Sequence, residues 1–418
     1  MILKRVDLAV IGGGPGSLAA AIRAKELGME NILVLERTDS LGGLLPQCIH
    51  NGFGIHYFGE DLTGPEYADR FIERISSMDI EVALKTMVID LHPDLRIVGV
   101  NAEWGEFNCI PRAVVLAMGC REKTRSHTGI PGSRPAGILT AGTAQKLVNI
   151  EGYMPGEEFV ILGAGDLGMI MARRLKLEGA QVKAVVERMP YVGGLIRNEV
   201  QCLHDFKIPL FLEHTVTNVF GEGRIRGVEI ASLHDGRVTG ENETTVECDC
   251  LLLSAGLIPE NELSRKAGVE LDSCTGGPFV DEHMQTNVAG IFATGNCLQV
   301  YDSVDNVSLD GQRAGEGVFR YVTGELKDHR PALRIVPGHN VKSVTPQRIV
   351  GREDVQLRVR VKRPLENTEI VAGTYTERHR ALHPSSMLTI NLSQADVADA
   401  WRNGRLVVSC CEDRGANL

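Results

Sequence analysis

One local pattern occurs twice in this chain: an apolar run, a glycine turn, a helical stretch, a second apolar run and a glutamate. In the first copy Leu8-Ala9-Val10-Ile11 reads as a buried parallel strand and Gly12-Gly13-Gly14-Pro15-Gly16-Ser17 as the turn. Residues 18–27 follow as a helix ending at Gly28, and Ile32-Leu33-Val34-Leu35 is a strand stopped by Glu36. In the second copy Phe159-Val160-Ile161-Leu162 leads into Gly163-Ala164-Gly165-Asp166-Leu167-Gly168, a complete G-x-G-x-x-G. A helix over 169–177, Gly179 and a strand over 182–186 follow, ending at Glu187. The glutamate lies equally far from the first glycine in both copies, 36 − 12 = 24 and 187 − 163 = 24.

The physics of such a unit is specific. The first glycine allows the tight turn, and the second lets the backbone approach a pyrophosphate. The helix N-terminus then presents unpaired N–H groups and partial positive charge to the phosphates. An acid about 20 residues on can accept the ribose hydroxyls. Ser17 replaces the usual third glycine or alanine, which predicts slightly looser helix–strand packing there. One glycine motif also fits an ordinary turn; two at the same spacing predict two dinucleotide sites.

The remaining composition excludes alternatives. The 418 residues carry a net charge of −10, which gives no electrostatic basis for nucleic-acid binding. No apolar run is long enough to span a bilayer. Lys4-Arg5 before an apolar run resembles the opening of a signal peptide, but Asp7 and the glycine turn interrupt it, so a cytoplasmic protein is expected. The ten cysteines are scattered with no C-x-x-C spacing, which argues against a zinc ribbon, an iron–sulfur ligand set or a thioredoxin-type dithiol.

Along the chain, residues 41–54 read as a glycine-rich polar loop that touches a ligand. A helix is expected over 64–78, with Thr63 as N-cap and Pro65 in its first turn. A β-rich piece spans 80–100, and Ala113-Val114-Val115-Leu116-Ala117 is a short buried strand before Met118-Gly119. Phe279-Val280-Asp281 and the run from Gly290 to Asn296 read as strand returning to the first domain, followed by a helix near 311–323. After about Lys327, period-two alternation at 356–361 and 387–392, with Leu406-Val407-Val408, predicts a small antiparallel domain. Its Arg358, Arg360, Lys362 and Arg363 read as a solvated strand face or, second, as an anion or partner patch.

The expected fold is α/β: two Rossmann-like dinucleotide-binding domains, the second inserted in the first, plus a small C-terminal β-rich domain. The boundaries are 1–145 and 261–326 for the first domain, 146–260 for the second and 327–418 for the tail.

The two glycine turns, Ala117-Met118-Gly119 and Gly290-Ile291-Phe292-Ala293-Thr294-Gly295-Asn296 occur in the order found in the two-dinucleotide FAD/NAD(P) flavoprotein reductases, which the chain resembles over roughly residues 1–325. The block 41–67, Gly276-Gly277-Pro278 and the β tail resemble a narrower branch. It includes FAD-dependent subunits encoded beside glycerol-3-phosphate dehydrogenase-like proteins and FAD subunits of opine oxidases and hydrogen cyanide synthase. The resemblance implies FAD at the first site, with Gly12, Gly14 and Gly16 at its pyrophosphate and Glu36 at its ribose. Val88 would meet adenine through its backbone, and Gly295 and Asn296 would lie on the ribityl and pyrophosphate side. Arg37, Gly43, Leu44, Ala117 and Gly119 complete the implied set. Asn296 stands where the family usually has Asp, so that contact lacks a charge.

NAD(H) is implied at Gly163, Gly165, Asp166, Gly168 and Glu187; Glu187 disfavours the 2′-phosphate of NADP(H), although Arg188 leaves it some room. Disulfide reductases of this type carry C-x-x-x-x-C after Gly42-Gly43; here the stretch 45–50 holds Cys48 alone. The expected function is an FAD-dependent NAD(P)H oxidoreductase without an internal redox disulfide. It would pass electrons to a small-molecule or protein acceptor, as one subunit of a multi-component dehydrogenase or as a homo-oligomer. The alternatives are the FAD subunit of an amino-acid or opine-type amine-oxidising enzyme, and a non-catalytic flavin-bearing assembly module. Cys48 and His50 are the catalytic candidates: proton transfer or a redox step with the second substrate, or, for Cys48, cycling through a sulfenic acid if its thiolate is stabilised. Packing around the cofactor is the competing role for both.

Overall fold

The computed structural model describes residues 2–239, 243–326 and 331–412. The expected start of the tail at 327 and its last residues, 413–418, lie outside the described residues. The chain divides into two compact units, one formed by Met1–Cys120 with Pro259–Leu418 and one by Arg121–Ile258.

The first unit is built on a largely parallel sheet. Its order is Glu81–Ala83, Ile32–Leu35, Ile2–Ile11, Gly105–Leu116, then Ile97–Asn101 and Thr86–Leu91. The long strand Gly105–Leu116 changes neighbours along its length: Ile97–Asn101 runs antiparallel to its first half, while Ile291–Ala293 runs parallel to Val114–Leu116. That late strand closes the sheet with chain from beyond the inserted unit. Phe279-Val280-Asp281, expected as strand, is irregular; the Phe279 N–H donates to Glu270 O at 2.9 Å instead.

Two helices pack directly against each other in this unit. Pro15–Glu26 starts three residues before its apolar pattern does, with Pro15 in its first turn. Val304–Val322 is 19 residues long, where the sequence predicts only its second half. Its first half buries the polar Asp305, Ser308 and Asp310, which blurs the apolar periodicity; the Ser303 hydroxyl accepts the Asn306 N–H and fixes the start. The contact is made backbone to backbone: a Cβ on Gly311 would lie 2.4 Å from Gly16 O, and one on Gly315 2.4 Å from Ala20 O. Ser17 does not loosen this side, because it is buried and its hydroxyl donates to Gly14 O at 2.6 Å. The helix Gly64–Ser77 has the expected Thr63 cap, completed by Glu66 into a capping box.

The tail has its own apolar core, with Leu357, Val359, Ile370 and Val408 among its fully buried members. One sheet is ordered Arg348–Ile349, Leu333–Pro337, Arg405–Glu412, Leu365–Ala372, Tyr375–Leu382; a second is Val341–Thr345, Val355–Val361, Leu388–Leu392. A helix, Gln394–Asn403, joins them, which the strand alternation does not foreshadow. Arg358 and Arg360 are neither a solvated face nor an anion patch. Arg358 is 3% exposed with its guanidinium 3.2 Å from Asp310, and Arg360 donates to the carbonyls of Pro384 and Val300. Arg363 pairs with Glu412 at 2.6 Å.

The second unit holds a five-stranded parallel sheet in the order Ile138–Thr140, Cys250–Leu253, Glu158–Leu162, Gln181–Val186, Leu210–Phe211. An antiparallel group of His214–Gly221, Ile225–His234 and Thr244–Glu247 follows. The unit begins at Arg121 rather than at the expected 146, because Ile138–Thr140 and the helix Ala141–Asn149 belong to its sheet layer. No helix among the described residues is long and apolar enough to cross a membrane.

Candidate functional site

At the first glycine turn the strand Ile2–Ile11 ends beside Leu35 and Leu116. Gly12 turns the chain at φ +116°, where a side chain would be strained, and a Cβ there would sit 2.3 Å from Ala117 O. Gly14 caps the helix Pro15–Glu26 in an extended conformation and no side chain caps that end. The helix therefore offers its first-turn N–H groups and positive end outward. The 41–45 loop folds back over the turn: Gly42 N–H donates to Gly13 O at 2.8 Å, and a Cβ on Gly43 would come 3.0 Å from Gly14 Cα. The Thr294 methyl lies beside Gly16, 3.5 Å from where a Cβ there would sit.

Glu36, 7% exposed, stands at the end of the neighbouring strand. Its Oε1 accepts from Thr38 N at 2.7 Å and Thr38 Oγ1 at 2.8 Å, and its Oε2 faces Gly13. A cavity of about 390 Å³ opens there, bringing together Gly12, Glu36, Arg37 and Val88 from the expected set, with Met118 at its wall. Glu260, Glu262 and Lys266 also line it, and sequence reasoning misses them because they arrive from chain beyond the inserted unit. Lys266 Nζ donates to Ile89 O at 2.8 Å, tying that return to the cavity wall. Gly14, Gly16, Gly43, Leu44, Ala117, Gly119, Gly295 and Asn296 are not on the cavity lining. Asn296 Oδ1 accepts the Tyr301 N–H at 3.2 Å, so the amide has a structural task.

The second unit repeats this arrangement. Gly163 turns at φ +107° and a Cβ there would lie 2.2 Å from Ser254 O. Gly165 caps Asp166–Leu177, again without a side-chain cap, and a Cβ on Gly168 would lie 2.2 Å from Gly163 O. Glu187 accepts from Ala164 N at 2.8 Å and from Met189 N at 3.0 Å. Asp166 Oδ1 accepts from Leu195 N at 2.7 Å and Asn198 Nδ2 at 2.6 Å. The repeat extends further than the glutamates. Adding 151 to Gly42, Gly43 and Leu44 gives Gly193, Gly194 and Leu195, the same offset as 163 − 12 and 187 − 36. Sequence reading of each copy by itself misses this second Gly-Gly-Leu; the constant offset is the signal that reveals it.

Residues 6–311 match the family described as pyridine nucleotide-disulphide oxidoreductase. The chain belongs to this family. Its members are FAD-dependent NAD(P)H oxidoreductases and use both cofactors. The chain is 27% identical over 409 residues to an opine oxidase subunit of Agrobacterium tumefaciens, covering 92% of this chain and 75% of that protein. It is 27% identical over 314 residues to the CoA-dependent NAD(P)H sulfur oxidoreductase of Pyrococcus abyssi, covering 72% of this chain and 64% of the relative. The fold is that of T. acidophilum thioredoxin reductase, with a TM-score of 0.62 at 21% identity over 76% of this chain and 98% of that one.

For this oxidoreductase the first turn passes a test of fit to FAD made on its own atoms. An uncapped helix end and a carboxylate at the cavity are features a dinucleotide would satisfy. All ten cysteines are free thiols, and the stretch 45–50 holds Cys48 alone. Cys48, half-buried, has its Sγ 3.4 Å from Leu44 O, and desolvation pushes its thiol up to about 11. Burial thus opposes, rather than supplies, the stabilised thiolate that sulfenic-acid cycling would need. His50 Nδ1 lies 2.9 Å from Asn51 O, and its ring packs 5.0 Å from Phe53. The loop carrying both is anchored by a residue sequence reasoning misses: the buried Asp305 accepts the N–H groups of Gly54 at 2.9 Å and His56 at 2.8 Å. Among the described residues no cluster of acids, histidines and cysteines could hold a metal.

Proposed function

We propose that this oxidoreductase holds FAD on the first glycine turn, accepts hydride from NADH on the second, and passes the electrons to an acceptor other than a disulfide. The reading is carried by two uncapped glycine turns, each with a glutamate 24 residues past its first glycine. Gly12, Gly14 and Gly16 would hold the FAD pyrophosphate, with Gly43, Leu44, Ala117, Gly119, Gly295 and Asn296 around it. Glu36 and Arg37 would meet the ribose, and Val88 the adenine through its backbone. Bound FAD supplies the hydride chemistry; the protein supplies position and electrostatics. Cys48 and His50 are the candidates for moving a proton at the reacting end. Gly163, Gly165 and Gly168 would receive the second nucleotide. The negative charge of Glu187 disfavours a 2′-phosphate, so NADH is the favoured donor.

The likeness to the opine oxidase chain spans 92% of this one and supports a protein partner, and with it a second reading: oxidation of an amino compound with the second site reduced in role. Membership in a family of oxidoreductases speaks against a non-catalytic module. Ten free thiols fit a reducing compartment, the cytoplasm. The deciding experiment is an anaerobic titration of the FAD-loaded chain with NADH. Stoichiometric bleaching of the flavin band supports the NADH reading. Bleaching by an amino compound and not by NADH would replace it with the second reading.

A further inference from the structure

The second unit's glycine turn differs from the first at one telling position. Where the first has Pro15, whose side chain can accept nothing, the second has Asp166 (15 + 151 = 166). In both units the loop behind the glutamate folds back on the turn, through Gly42 N–H to Gly13 O at 2.8 Å and Gly194 N–H to Ala164 O at 3.1 Å. Only in the second unit does a side chain in the helix's first turn fasten that loop. Asp166 Oδ1 takes both the Leu195 N–H and the Asn198 amide.

This fastening sits where a nucleotide pyrophosphate has to arrive. Asp166 is the first residue of the helix Asp166–Leu177, and the N–H groups at that end are the ones a phosphate uses. The strap lies directly on it: a Cβ on Gly194 would be 2.6 Å from both Asp166 N and Asp166 Oδ1. Asp166 is also favoured there by the helix dipole, so its charge competes with a phosphate for one end of one helix.

We propose that Asp166 and Asn198 form a latch holding the strap 193–198 across the second nucleotide site, so that nucleotide enters and leaves through its opening. Asp166 is then a positioning residue for the strap. The proposal rests on the reading of this unit as an NADH site and adds the control of its exchange.

The test is stopped-flow measurement of NADH association and dissociation on the FAD-loaded full chain, comparing wild type, D166A, N198A, the double variant and D166N. A latch slows both directions, so D166A and N198A each raise both rate constants, by roughly tenfold for a hydrogen bond to a charged group. The double variant behaves as D166A does, because the Asn198 bond already needs Asp166, whereas N198A alone leaves the Leu195 N–H bond in place. D166N keeps an acceptor oxygen and stays nearest to wild type. NADH uptake by D166A with none by wild type would be the extreme form of the same result. Faster dissociation alone would make Asp166 a ligand contact and overturn the latch, as would unchanged rates in both single variants. If no form takes up NADH while FAD stays bound, the NADH reading itself falls, and the latch with it.

Discussion

Arg358 reaches from the tail to Asp310 on the helix Val304–Val322, guanidinium to carboxylate at 3.2 Å, with both side chains buried. Tyr301 donates to the other oxygen of Asp310 at 2.8 Å, and Arg313 approaches at 3.1 Å. Removing one member leaves a charge in a dry place. Arg358→Met is expected to cost about 3 kcal/mol, the lower end for breaking a buried pair, because Arg313 still faces Asp310. Denaturant unfolding measures it; a loss below about 1 kcal/mol would show that the pair is not holding the tail.

Asp281 gives stability a pH dependence. Burial, with Glu282 beside it, raises its carboxyl from 3.8 to about 7, against the opposing pull of Arg348. The folded chain keeps this proton where the unfolded chain has released it. The contribution of this group to stability is therefore greatest below about 4 and declines as pH rises toward about 7, by at most about 1.4 kcal/mol per unit. Asp281→Asn can still accept from His283 N and Gln285 N, and is expected to flatten that slope in unfolding curves taken from pH 4 to 8.

Cys48 should react slowly for its exposure. With its thiol near 11, alkylation followed by peptide mapping is expected to spare it at pH 8 while the exposed Cys274 and Cys411 are modified. Its rate should climb about tenfold per pH unit until the pKa is reached. Rapid labelling of Cys48 at pH 7 would contradict the desolvated thiol.

Glu187 should set nucleotide preference. Replacing it with Ser removes the charge proposed to meet the ribose and two acceptors now used by Ala164 and Met189 N–H. The ratio of kcat/KM for NADH over NADPH is expected to fall by roughly tenfold or more. An unchanged ratio would place nucleotide discrimination elsewhere.

The two glycine turns are legible in the sequence because a backbone demand writes itself as a residue type: only glycine suits Gly12 at φ +116°, and only glycine leaves room at Gly168, where a Cβ would lie 2.2 Å from Gly163 O. The strands beside them follow from continuous apolar runs. What brings distant chain together is not legible. Glu260 and Lys266 reach the first cavity only because the sheet is completed after the insertion, and no local pattern marks them. Alternation correctly makes Val355–Val361 a strand, but it cannot say that Arg358 would be covered by a helix. The Asp166–Asn198 bond spans 32 residues and no periodicity reports it.

The late arrival of Ile291–Ala293 has a consequence during synthesis. Its partner Val114–Leu116 leaves the ribosome about 175 residues earlier, since 291 − 116 = 175. At a translation rate of about 5–20 residues per second, that end of the strand lacks one neighbour for roughly 9–35 seconds. The continuous second unit, Arg121–Ile258, can fold in that interval, so the chain is expected to finish its middle before its beginning. An exposed strand edge of that lifetime is a target for chaperones and for a second nascent copy.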